Sequence, residues 1–113
     1  MIAIKKNKPG ITHVLLPIEV AFNDELKYSD KIVWWVINIL DTTQKHCFAS
    51  NKYIAKRARY TERIVINSIA KLIKLGYIKR SFYEDENLTK NRVLKVEKNL
   101  EKFRSILTKY NDW

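Results

Sequence analysis

Between Ser50 and Arg80 the chain carries helix start and stop signals close together. Ser50 precedes N-K-Y-I-A-K-R-A, Thr61 precedes E-R-I-V-I-N-S-I-A-K-L-I-K-L, and Gly76 follows. A serine or threonine just before a helical stretch accepts a hydrogen bond from a backbone N–H left free at the helix start. A glycine just after one supplies the left-handed residue that closes it. The segment therefore predicts two short helices, roughly Asn51–Arg57 and Thr61–Leu75, joined by a tight turn and running into a strand. Val65, Ser68, Ile69, Leu72 and Leu75 recur at helical spacing and form the predicted buried face of the second helix. Tyr53, Ile54 and Ala58 are expected to face inward from the first.

Charge is concentrated in the same place. Residues 50–80 hold nine basic side chains and one acid, Glu62, a local balance of +8 within a chain of net charge +10. A compact helical pair with such a field most plausibly binds a polyanion. A sequence pI near 9.8 suits nucleic acid or an anionic membrane surface. The membrane option needs a basic amphipathic helix with a free apolar face. Here the basic cluster spans a helix pair with its own core positions, which favours nucleic acid.

The rest of the chain frames that pair. Residues 1–10 read as a flexible basic arm, and Ile11–Leu16 as a short strand or extended lead-in. Pro17 opens a brief helix, Ile18–Phe22. Ser29 is expected to cap a longer helix ending near Leu40, with Ile32, Val33, Val36, Ile37 and Leu40 as its apolar stripe and Trp34 and Trp35 alongside. His46–Ala49 suggests a single short strand. Tyr77–Tyr83 and Asn91–Val96 alternate as a hairpin around a polar loop. A last helix, Glu97–Tyr110, carries Leu100, Phe103, Leu107 and Tyr110 on one face. The lone Cys47 cannot form an internal disulfide, so a reducing compartment, most simply the cytoplasm, is expected. The apolar run Ile32–Ile37 is far shorter than a membrane span. No signal-like segment follows the basic arm.

The order helix, basic helix, tight turn, helix, glycine, hairpin resembles the winged helix-turn-helix domain. It is similar to small winged-helix modules of Gram-positive bacterial, plasmid and phage regulators and to the N-terminal domains of replication initiators. The residues carrying the resemblance run from Cys47 to Arg80, C-F-A-S-N-K-Y-I-A-K-R-A-R-Y-T-E-R-I-V-I-N-S-I-A-K-L-I-K-L-G-Y-I-K-R. The likeness implies a mainly α fold with a β-hairpin (α+β), a winged domain over residues 11–96 and a C-terminal helix over 97–113. It also implies double-stranded DNA as partner and a role in transcriptional control of a mobile element. Replication initiation, or a protein-interaction module with little DNA affinity, stands beside that role.

In such a domain the second helix of the pair enters the major groove, the first crosses the backbone, and the wing reaches a neighbouring groove or phosphate. Carried onto this chain, Arg63 and Asn67 are the leading base readers, because Arg pairs bidentately with guanine and Asn with adenine. Glu62, Ile64 and Ile66 share the outward face; the two isoleucines suit thymine methyls or a protein surface. Lys52, Lys56, Arg57, Arg59 and Lys71 are candidate phosphate contacts, with Lys79, Arg80, Lys90 and Arg92 at the wing base. Thr61 caps, and a phosphate contact is its second role. Glu84, Asp85 and Glu86 make the wing tip repel DNA. The stripe Leu100, Phe103, Leu107 and Tyr110 either docks on the domain or pairs two copies into a homodimer.

Nothing in the sequence suggests catalysis. His46 and Cys47 supply at most two metal ligands, and His13 is distant. Adjacent residues of a strand point to opposite faces, which argues against a Cys–His nucleophile. With only Gly10 and Gly76, the chain has no glycine-rich phosphate loop. No cofactor and no small-molecule ligand are expected.

Overall fold

A computed structural model describes residues 16–44 and 46–103. The elements are α1 (Ile18–Ala21), α2 (Tyr28–Gln44), α3 (Asn51–Ala58), α4 (Glu62–Lys74), β1 (Ile78–Glu84) and β2 (Lys90–Val96). Three helices pack around one core with the antiparallel β1–β2 hairpin at its side, the architecture of a winged helix-turn-helix. The arm at 1–10, the lead-in at 11–15, and Leu107 and Tyr110 lie outside the described residues.

The predicted caps form. Ser50 Oγ accepts from the Tyr53 N–H at 3.1 Å, and Thr61 Oγ1 from the Ile64 N–H at 3.2 Å. Gly76 sits at φ +89°. Around it the Tyr77 N–H reaches the Leu72 carbonyl at 2.9 Å and the Gly76 N–H reaches that of Ile73 at 3.1 Å. This paired closure ties off the last carbonyls of α4 and turns the chain into β1. The α3–α4 turn needs no glycine: Arg59 takes the left-handed conformation at φ 62°, and the Tyr60 N–H bonds the Ala55 carbonyl at 3.1 Å.

Helix α2 departs from expectation at both ends. It begins at Tyr28, so Ser29 lies inside it. Asp30, in its first turn, reaches back instead: its Oδ2 accepts the N–H of Lys27, the residue before the helix, at 2.9 Å. It runs through Asp41-Thr42-Thr43-Gln44, which reads locally as a stop, because Asp41 is buried and held. Its Oδ2 accepts the Val96 N–H at 3.1 Å and meets Lys98 Nζ at 3.1 Å. The last turn of α2 is thereby fastened to the base of the hairpin. Pro17 caps α1 rather than opening it.

The core joins Val20, Val33, Trp34, Ile37, Ile54, Val65, Leu72, Tyr77, Ile78 and Leu94, all essentially inaccessible. Two inward assignments change. Tyr53 is 40% exposed, and the small Ala55 is buried in its place. Leu75 is only half-buried. Leu75 itself contributes less to the core than Leu72 because it lies past the end of α4, where the chain turns towards β1. Buried Tyr77 pins α1 to the hairpin base: its hydroxyl donates to the Glu19 carbonyl and accepts from Asn23 Nδ2, each at 2.8 Å.

The hairpin pairs Ile78 with Val96 through Glu84 with Lys90. The 46–49 segment forms no strand of its own. Cys47 alone bridges to Leu94, exchanging backbone hydrogen bonds at 3.1 and 2.9 Å. The flank after β2 is a single 3₁₀ turn at Leu100–Phe103 within the described residues. Leu100 and Phe103 pack against the core, and the Phe103 ring stacks on Tyr77 at 4.1 Å between centroids.

Candidate nucleic-acid interface

Helix α4 buries Val65, Ser68, Ile69 and Leu72 and turns the opposite stripe outward. Glu62, Arg63, Ile66, Asn67, Ala70 and Lys74 are exposed, and Ile64 is half-buried at the edge of the stripe. Ile66 is 51% exposed, a large apolar side chain left in water at the middle of the helix. No other part of the described chain covers this face. Ala70 extends the stripe by a turn without a bulky side chain; its small size gave no signal in the sequence.

Two groups stand apart among the cations. Lys71, Lys98 and Lys102 each have a carboxylate within 3.2 Å, on Asp30, Asp41 and Glu97 respectively. Lys52, Lys56, Arg57, Arg59, Arg63, Lys79, Arg80 and Lys90 are all exposed. Among the described residues, none of these eight has a carboxylate partner within ion-pair distance. Arg57 is organised all the same: its Nε donates to the Tyr53 hydroxyl at 3.1 Å and its guanidinium lies 5.6 Å from that ring. Tyr53 at the surface therefore braces a cation. Arg80 similarly lies 5.9 Å from the Phe82 ring.

Two of the expected phosphate contacts are used inside the protein. Lys71 Nζ approaches Asp30 Oδ2 at 3.2 Å, and Ser68 Oγ donates to Asp30 Oδ1 at 2.6 Å. Burial works to raise the Asp30 pKa. The hydrogen bonds from Ser68, the Lys27 N–H and Lys71 outweigh it and hold the carboxyl below its ordinary range. This cluster locks α4 to the start of α2. Arg92 reaches Asn51 Oδ1 at 2.5 Å and the Ala49 carbonyl at 2.8 Å, tying the wing to the start of α3. Both residues set the relative placement of α3, α4 and the wing.

At the wing tip Asp85 is a turn organiser. Its Oδ1 accepts the N–H groups of Asn87 and Thr89 at 2.9 and 3.0 Å, and its Oδ2 accepts from Asn91 Nδ2 at 3.2 Å. The Thr89 and Asn91 bonds, foremost, lower its pKa. Leu88, at φ 60°, completes the turn in the left-handed region.

The Cys47 and His46 pair does not converge on a site. Cys47 is fully buried, and burial pushes its thiol pKa up, which makes it a poor nucleophile. His46 Nδ1 lies 3.7 Å from Asp41. Among the described residues no group of three potential metal ligands comes together, and no helix is long and apolar enough to cross a membrane. Sequence reasoning missed one surface feature. An open groove of about 400 Å³ lies between the start of α3 and the wing, with Phe48 and Tyr83 beside it. These residues are 35 positions apart, so only the fold brings them together.

A comparison with curated proteins gives no sequence match. A MarR family regulator from Neisseria meningitidis has a similar structure, with 16% identity and a TM-score of 0.48 over 81% of this chain. The match spans 59% of that protein's length. The family model described as "Helix-turn-helix domain" matches residues 24–78. That span, just under half of the chain, takes in α2, α3 and α4 and ends as β1 begins: the chain is similar to helix-turn-helix domains over the segment that presents the uncovered stripe of α4.

Proposed function

We propose that this protein binds double-stranded DNA with sequence preference and acts as a transcriptional regulator by occupying its site. The supporting observation is a cluster of unpaired cations. Lys52, Lys56, Arg57, Arg59, Arg63, Lys79, Arg80 and Lys90, on α3, the α3–α4 turn, the start of α4 and the wing, are exposed and have no carboxylate partner among the described residues. Such a field is free to release counterions from a phosphate backbone. The match to helix-turn-helix domains supports the same reading.

In this reading α4 lies in the major groove. Arg63, Ile66 and Asn67 meet base edges, with Glu62 at the helix start and Ile64 at the margin. Lys52, Lys56, Arg57 and Arg59 hold phosphates, Thr61 stays a cap, and Lys79, Arg80 and Lys90 serve the wing. Arg92 and Lys71 hold the elements in place. A plasmid or phage setting rests on the resemblance of residues 47–80 alone.

Selection of bound sequences from a random duplex pool tests the proposal. An enriched motif is expected, and Arg63→Ala should relax one position of it at a cost of about 1–3 kcal/mol. Recovery of no motif from the wild-type chain would refute sequence preference.

A further inference from the structure

We infer that the groove between α3 and the wing is a second nucleic-acid site, one that takes an unpaired nucleobase with its phosphate. Phe48 and Tyr83 are 48% and 47% exposed, and their rings meet edge to face, centroids 5.9 Å apart at 86°. Both residues line the groove and keep about half of their surface exposed. Exposed aromatic faces beside cations are what proteins use to hold bases outside a duplex, since every base has a π-face.

The polar lining fits a nucleotide and suits little else. Lys90 and Arg92 line the groove, and no carboxylate does. Arg92 spends one N–H on Asn51 and one on the Ala49 carbonyl. Asn51 uses its carbonyl for that bond, so its amide N–H groups have no partner among the described residues. Asn91 is the converse. Its amide nitrogen is committed to Asp85 and to the Thr89 carbonyl, which leaves its side-chain oxygen as an acceptor. The groove thus offers a stacking ring, an amide donor, an amide acceptor and the Lys90 ammonium for an anion. An apolar peptide would leave these polar groups unanswered, and an acidic peptide would not use the rings. The bonds through Arg92 and Asp85 hold the walls in position before any ligand arrives.

The site is distinct from the stripe on α4, and it gives the protein a reason to prefer duplex containing a gap, a bubble or a melted step. The test compares a fully paired duplex with the same duplex carrying a three-nucleotide gap, with 2-aminopurine opposite the gap. Binding is read by anisotropy and stacking by quenching of the 2-aminopurine. The wild-type chain should bind the gapped duplex more tightly and quench its fluorescence. Phe48→Ala and, separately, Tyr83→Ala should weaken gapped binding by roughly fivefold or more, the lower end of base–aromatic stacking. Binding to paired duplex should stay within about twofold. Both rings are half-exposed, so the variants should fold, which a thermal melt verifies; Phe48→Tyr should restore the preference. Equal affinity for gapped and paired DNA, or a preference insensitive to both ring deletions, overturns this inference and leaves a protein segment as the better occupant. Failure to bind either DNA overturns the proposed function as well, so the two failures are distinguishable.

Discussion

Asp30 offers a quantitative test of how α4 is held. Its carboxylate is buried, and it receives Ser68 Oγ at 2.6 Å, the Lys27 N–H at 2.9 Å and Lys71 Nζ at 3.2 Å. Asp30→Asn keeps the shape but leaves one acceptor oxygen, so an amide N–H₂ must face at least one of these donors. A hydrogen bond to a charged group contributes about 1.5–3 kcal/mol, and leaving a buried donor unpaired costs a similar amount. Lys71 is about one-third exposed and regains water, so its share is small. We expect a loss of about 3 kcal/mol, a large part of the roughly 5–15 kcal/mol that holds a domain of this size together. At about 4 °C per kcal/mol the melting temperature should fall by roughly 12 °C. Urea unfolding followed by tryptophan fluorescence reports it, since Trp34 is buried one turn along α2. The pH dependence gives the sign. Folding depresses the Asp30 pKa, so its contribution is complete above the unfolded value of about 3.9 and is lost as pH falls through the folded value. Wild type and variant should therefore differ at pH 7 and converge in acid. A difference under about 0.5 kcal/mol at neutral pH, or one that persists undiminished at pH 2, would refute the reasoning.

Further expectations follow from other contacts. Gly76→Ala should cost about 1–2 kcal/mol through its left-handed backbone; the Phe103 ring, 3.8 Å from an added Cβ, leaves room, so Gly76→Asn should cost less. Denaturant melts of the two variants decide it. Arg92→Met should lower stability by about 1–2 kcal/mol through the bonds to Asn51 and Ala49, and should leave the salt dependence of DNA binding unchanged, because Arg92 is not assigned a phosphate. A fall in the salt slope would return it to the phosphate set. Asp85→Ala should speed amide exchange at Asn87 and Thr89, whose N–H groups it accepts, while the global melt barely moves.

The sequence was most informative where structure is set locally. Ser50, Thr61 and Gly76 act on neighbours within a turn or so, and each does in the fold what its residue type requires. Where distant contacts decide, local signals misled. Asp41-Thr42-Thr43 reads as a helix end, yet the buried Asp41 carboxylate answers a Val96 N–H 55 residues away. Lys71 and Arg92 look like any other basic residue of the cluster, and their partners Asp30 and Asn51 lie 41 positions off. Tyr53 and Ala55 flank Ile54 on opposite sides of a short helix, about 200° apart, and hydrophobicity favoured the wrong one. The groove beside Phe48 and Tyr83 had no sequence signature, because it is made by the bridge at Cys47 and the hairpin register together.

The most direct test of the central claim is the affinity for random duplex DNA measured across a salt series. With Lys52, Lys56, Arg57 and Arg59 on phosphates, the log–log slope should be at least about −3.5, and Lys56→Gln should make it shallower by about 0.9 without altering base preference. A flat salt response, or no binding at low salt, would contradict the account.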